Sequence, residues 1–251
     1  MHLNPLSSFW GPPQIGSTLY GMTPGGGLSN RGTIFKIQTN GTGFGVLHSF
    51  AGGATDGGTP MGSLKAMSST LYGMTFGAGA YASGTVFKIQ TNGTGFKLLY
   101  SFGANAADGT DPQGSLISIN STLYGMTLNG GAGNHGTVFK IKTDGTGYVR
   151  LHSFAGGTTD GSGPYGSLKA IGSTLYGMTI VGGTAGLGTI FKINTNGTQF
   201  MLLHSFLNDG TDGQEPFGSL IASVSTFYGV TSGGGAYGDY NKGTIFSFKK
   251  Q

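Results

Sequence analysis

Apolar residues along this chain come in short runs, broken by glycine, asparagine, aspartate, serine and threonine, and the runs recur. Leu-Tyr-Gly-Met-Thr begins at Leu19, Leu71, Leu123 and Leu175 and returns as Phe-Tyr-Gly-Val-Thr at Phe227, each step being 52 residues. Gly-Thr-Ile/Val-Phe begins at Gly32, Gly84, Gly136, Gly188 and Gly243; the last step is 55, so three residues are inserted between Val230 and Gly243. Leu-His/Tyr-Ser-Phe begins at Leu47, Leu99, Leu151 and Leu203, and Pro-X-Gly-Ser-Leu at Pro60, Pro112, Pro164 and Pro216. Four motifs in fixed order are a structural repeat. No stretch sustains a 3.6-residue period, so the pattern predicts strands and almost no helix.

Each motif reads as one strand. In the second copy these are A (62–67), B (70–75), C (84–90) and D (96–102). Asn40-Gly41, Asn92-Gly93, Asp144-Gly145 and Asn196-Gly197 fall between C and D. They predict hairpins with type I′ turns, in which both central residues need positive φ. Four antiparallel strands in a period of about 50 residues describe a propeller blade; β-solenoid coils are usually shorter and lack regular hairpin turns. The expected fold is all-β, a single five-bladed β-propeller over residues 1–251, made of four-stranded antiparallel blades with B strands at 19, 71, 123, 175 and 227. Five B and five C motifs are matched by only four internal D motifs. Leu6-Ser7-Ser8-Phe9 matches Leu47-His48-Ser49-Phe50, so residues 3–9 are expected to pair with 243–249 and close the ring. Pro5 suits an edge strand there. Gly62-Ser63 and its copies at 114, 166 and 218 are small enough for innermost strands crowded at an axis. The repeated Leu, Tyr, Ile/Val and Phe positions are expected to pack blade on blade, since one sheet cannot bury both faces alone.

Leu71-Tyr72-Gly73-Met74-Thr75 followed by Gly84-Thr85-Val86-Phe87-Lys88 resembles the unit of the GloVer (Gloeobacter–Verrucomicrobia type) tandem repeat family, and the resemblance covers nearly the whole chain. It implies a propeller-forming array from an exported or surface-anchored bacterial protein, extracellular or on the cell surface. It carries no catalytic motif onto these residues.

Composition narrows the function classes. The chain has 251 residues, with 52 glycines but no Gly-X-Y period, and its 17 Phe and 11 Tyr can fill a core. Absence of cysteine excludes disulfides and thiolate metal sites. No apolar run approaches the ~18 residues of a membrane span. The net charge of +4 is spread along the chain, which argues against nucleic acid as a partner. A monomer is expected.

Candidate chemistry collects in the long loops. Strand order puts B–C and D–A loops on one face and the short A–B and C–D turns on the other. Of nine acidic residues, all but Asp144 lie in B–C or D–A loops. The Asp-Gly pairs read first as turns; Asp108, Asp111, Asp209 and Asp212, in two Asp-Gly-Thr-Asp runs, are the candidate Ca²⁺ ligands, and no other cofactor is expected. His48, His152 and His204 recur at one strand D position, with Tyr100 in the remaining internal copy. They read as packing or surface residues, and their spacing suggests no carboxylate partner. The positions that differ between copies are Gln113, Tyr165 and Phe217, before the Gly-Ser pairs, and Tyr81 and Tyr240 in B–C loops. Aromatics beside amides and hydroxyls suit sugar binding. The function expected is therefore a non-enzymatic module for glycans or cell-surface polymers. The alternatives are a structural or adhesive repeat without a small-molecule site, and a polysaccharide-acting enzyme on a propeller scaffold.

Overall fold

The computed structural model describes residues 11–207, 209, 211–235 and 243–249. Among them there is no helix, and so none long and apolar enough to cross a membrane. The chain is all-β, in consecutive antiparallel sheets that follow the repeat. In the second repeat the strands Lys65–Met67, Thr70–Thr75, Thr85–Gln90 and Lys97–Ser101 lie side by side in that order. The first and third repeats form the same four-stranded sheet, and in the fourth the same four strands are joined by Gly161–Pro164 into a five-stranded one. The fifth shows Ile221–Ala222, Thr226–Gly234 and Ile245–Lys249. The strand expected from residues 3–9 lies outside the described residues.

Register explains the repeated motifs. In the central pair Leu71 faces Ile89, Tyr72 faces Lys88, Gly73 faces Phe87, Met74 faces Val86 and Thr75 faces Thr85. Gly73 is there because the Phe87 ring folds across it: a Cβ would overlap the ring tip. Thr75 and Thr85 are fully buried and bonded through their hydroxyls at 2.8 Å, and Thr75 Oγ1 also donates to Gly77 O. The same pair recurs as Thr127–Thr137 and Thr179–Thr189. A buried hydroxyl without a partner is costly, and the pairing satisfies both at once.

Each sheet buries one face on the sheet before it and the other on the sheet after it. Tyr20 and Ile34 of the first sheet meet Leu71, Phe87 and Ile89 of the second. Tyr72, Met74 and Val86 meet Leu123, Phe139 and Ile141 of the third, and the pattern continues through the fourth to Phe227 of the fifth. At the two ends the equivalent positions stay exposed. Tyr228, Val230 and Ile245 are 44%, 36% and 84% exposed, where Tyr72, Met74 and Val86 are 7%, 3% and 0%. Phe44 of the first sheet is likewise exposed.

The Gly-Ser pairs join the sheets at their inner edge. Ser63 N donates to Ser115 Oγ (2.7 Å), Ser115 N to Ser167 Oγ (2.9 Å) and Ser167 N to Ser219 Oγ (2.8 Å). The glycines beside them are forced by approach: a Cβ on Gly114 would overlap the carbonyl of Gly166, and one on Gly166 that of Gly218.

The C–D turns differ from the expected type I′. Gly41, Gly93, Gly145 and Gly197 have positive φ, but the Asn or Asp before each does not. Gly93 N donates to Gln90 O and Gln90 N to Thr94 O, a type I turn closed by a left-handed glycine. The preceding side chain caps the turn: Asn92 Oδ1 accepts from Thr94 N and Thr94 Oγ1. In the third copy the same bonds from Thr146 hold the Asp144 carboxyl below the usual range.

The ring-over-glycine contact sets a test. Gly73→Ala should cost about 1–3 kcal/mol in urea unfolding, the range for overpacking a full core. Gly77→Ala, with nothing closer than 3.9 Å to the new methyl and no positive φ, should cost far less. Equal losses would remove this account of the motif glycine.

Candidate functional site

The loop face is more ordered than its glycine content suggests, because D–A loops pair with B–C loops. Gly57–Gly58 pairs with Gly77–Ala78 and Gly109–Thr110 with Asn129–Gly130. In the fourth and fifth sheets the B strand runs on to 182 and 234 to take up Gly161–Pro164 and Gly213–Pro216.

Four of the five loop Asp-Gly pairs are not glycine turns, while Asp209 of the fifth does cap a turn. Gly57, Gly109, Gly161 and Gly213 have no positive φ; they lie in these short strands and press on the buried threonine pair. A Cβ on Gly109 would come within 2.5 Å of Thr127 Oγ1. The aspartate clamps the end of strand D. Asp160 Oδ2 accepts from Ala155 N at 2.9 Å, Oδ1 accepts from Gly161 N at 2.7 Å, and His152 Nε2 approaches Oδ2 at 3.1 Å. His48–Asp56 (3.1 Å) and His204–Asp212 (2.9 Å) repeat this pair. The histidines therefore have carboxylate partners, eight residues on. Their rings also pack on the following sheet, His48 stacked on Phe96 at 3.9 Å and His152 on Phe200 at 3.7 Å.

In the second copy Tyr100 replaces histidine. Its hydroxyl donates to Asp108 Oδ2 (2.9 Å), Tyr148 of the next sheet donates to Oδ1 (2.8 Å), and the two rings stack at 3.9 Å. Gly103 N, Ala104 N and Gly109 N complete the shell. Burial, together with the Asp108 charge, pushes both phenols well above their usual range.

Of the candidate calcium ligands, Asp108 is thus buried and enclosed by donors of the chain itself. Asp111 Oδ2 accepts from Asn129 Nδ2 and Thr110 Oγ1. Asp209 Oδ1 caps its own loop, accepting from Thr211 and Asp212 N, and these bonds lower its carboxyl pKa. Asp212 holds His204 and Leu207 N. Among the described residues no group of three or more His, Asp or Glu side chains is placed to hold a metal.

Of the candidate ligand residues, Tyr165 and Phe217 are brought together. Their ring centroids are 4.8 Å apart in an edge-on arrangement, and both rings are half-buried beside the Gly-Ser ladder. Burial raises the Tyr165 phenol. Gln113, also half-buried, holds the equivalent position one sheet earlier. Tyr81 is exposed in the B–C loop of the second repeat, beside Gly103, and Tyr240 lies outside the described residues. A separate cleft of about 400 Å³ lies between the third and fourth sheets, near His135, Ser162 and Val181.

The Gloeobacter/Verrucomicrobia repeat matches residues 104–251, more than half of the chain. No curated protein matches the sequence. Among solved structures, a chain of a nidogen/laminin complex aligns with a TM-score of 0.57 at 14% identity, covering 87% of this chain and 69% of that one. TolB from Acinetobacter baumannii aligns with a TM-score of 0.52 at 9% identity, covering 93% of this chain and 53% of that one, so this chain spans about half of TolB. These likenesses concern the fold, which is β-propeller-like.

The clamp predicts a graded response to mutation. Asp108→Ala strands two half-buried phenols and three amides and should destabilise by at least about 3 kcal/mol; Tyr148→Phe removes one donor and should cost about 1 kcal/mol. Chemical denaturation of both variants is the check, and a smaller loss for Asp108→Ala than for Tyr148→Phe would refute the clamp.

Proposed function

The chain belongs to the Gloeobacter/Verrucomicrobia repeat family, and on that footing we propose that it is a non-enzymatic, monomeric, five-bladed propeller that binds glycans or cell-surface polymers on its loop-rich face, outside the cell or at its surface. The observation that carries the binding reading is the Tyr165–Phe217 pair. These two stand where the earlier copies have Met61 and Gln113. They are half-exposed, and among the described residues Tyr165 Oη has no hydrogen-bond partner. A rigid aromatic surface with a polar tip suits the apolar face and hydroxyl rim of a sugar ring.

Closure of the ring is part of the proposal. Its support is the match of residues 6–9 to the strand D motif and the exposed end faces, Tyr228, Val230 and Ile245 on one side and Phe44 and Val46 on the other. Joining the first and fifth sheets would cover both. The non-enzymatic reading rests on three histidines and four loop acids, Asp56, Asp108, Asp160 and Asp212, being held in the same structural clamp, copy after copy. For the same reason we propose that the Asp-Gly loops act without calcium.

Tyr165→Ala should weaken glycan binding several-fold, since one stacking contact is worth on the order of 1 kcal/mol, with stability nearly unchanged. A glycan array followed by calorimetry reads this out; no glycan bound would favour the structural or adhesive role. Removing residues 1–10 should lower the melting temperature by more than about 5 °C, the shift expected for a loss of a few kcal/mol in a domain of this size, and an unchanged value would refute closure. Millimolar calcium should leave the melting temperature where it is; a rise would restore the Asp-Gly loops as a cation site.

A further inference from the structure

We propose that the cleft between the third and fourth sheets is a second site, off the axis, that takes a single sugar residue or another small neutral polyol. At about 400 Å³ it falls within the size range of small-molecule pockets. It is lined by Gly156, Gly157, Gly182 and Gly183 together with the side chains of His135, Ser162, Val181 and Thr184. Apart from the imidazole, no titratable side chain lines it. A charged ligand would find no counter-charge there, whereas hydroxyls find hydroxyls, an imidazole and an apolar patch. Val181 is 42% exposed, an apolar side chain left uncovered at the rim.

The first–second junction supplies an internal control. The first–second junction has Arg31 where this one has His135, and Gly58 where this one has Ser162. The Arg31 stem runs over Gly52 and on to Gly58, within 3.6–3.8 Å of where their Cβ atoms would be, and so fills the space. In the third–fourth junction the shorter imidazole lies against Gly156 and stops at Ser162, its Nδ1 2.9 Å from Ser162 Oγ. That bond fixes the ring and leaves Nε2 as the nitrogen to meet a ligand. The two replacements act together: one shortens the filling side chain, the other supplies the hydroxyl that orients it. Val181 and Thr184 are also particular to this copy, replacing Gly77 and Ala80 of the second. Val181 takes part in a threonine pair only through its carbonyl, and the side chains of these four residues enter none of the threonine pairs, the aspartate clamps or the serine ladder, so the fold does not require these side chains.

The site rests on its own residues rather than on the axial aromatic pair, and one titration separates the two. The full chain, labelled for NMR, is titrated with the methyl glycosides of glucose, galactose, mannose and N-acetylglucosamine. The expected result is a saturable shift of the His135 imidazole and the Val181 methyls with at least one of them. His135→Ala should weaken that glycoside about fivefold or more, as loss of one hydrogen bond would. Val181→Trp, at an exposed position, should fill the cleft and abolish the shifts, while Tyr165→Ala leaves them unchanged. No saturable shift at His135 and Val181 with any of the four glycosides, or an affinity indifferent to Val181→Trp, overturns the proposal. Shifts confined to Tyr165 would overturn it and leave the axial site standing; shifts confined to the cleft would do the reverse.

Discussion

A four-stranded sheet has two faces, and a repeat of this length has no helix with which to cover either. The only apolar surface available to one copy is the next copy, so the two faces must be unlike and complementary. One carries Tyr72, Met74 and Val86, the other Leu71, Phe87 and Ile89. The first kind always mates with the second kind of the following sheet. Conformity of the motifs follows from this: a change on one face is felt in two repeats at once. It also accounts for the exposure of Ile245 and Val230, which have the chemistry of a buried face and no following copy among the described residues.

Once the faces are fixed, the edges have little freedom. At the inner edge the sheets approach so closely that Gly114 and Gly166 exclude any side chain, and each serine can reach the backbone of its neighbour. At the outer edge the rings of His48, Tyr100 and His152 lean on Phe96, Tyr148 and Phe200 of the next sheet while their polar atoms are held by an aspartate. The substitution of tyrosine for histidine at 100 keeps all parts of the function: a flat ring to stack and a polar atom within reach of Asp108. What is retained is the geometry of a ring and a carboxylate, not the ionisation of either.

The strands were legible because their signals are local. Period-two runs, Asn-Gly turns and a fixed spacing place strands B, C and D to within a residue or two. The aspartates were not, because their partners are set by the path of a loop. His48 and Asp56 are eight residues apart across a chain reversal, and no strand or helix period brings such a spacing together. At Asp56, Asp108, Asp160 and Asp212, Asp-Gly was misread as a turn for a related reason. The glycine is required not by its own φ but by Thr75 or Thr127, which sit below it on another strand. The Asn-Gly turns were half legible: the positive φ belongs to the glycine alone, and the asparagine is there for its side-chain oxygen. The Tyr165–Phe217 contact was approachable because both occupy the same variable slot in adjacent copies.

The division between repeated and unrepeated residues then bears on function. In a repeat fold the identical positions are consumed by mating faces, ladders and clamps, and their polar atoms are satisfied: among the described residues no buried side-chain nitrogen or oxygen lacks a partner. Repeated chemistry is therefore structural chemistry here, and a single copy of a histidine is more informative than three. His135, Ser162, Tyr165 and Phe217 are each peculiar to their repeat, lie in or beside the loops of one face, and make contacts the fold does not need. They fall in the third, fourth and fifth repeats, so on the proposed reading recognition would gather mainly on that side of the array.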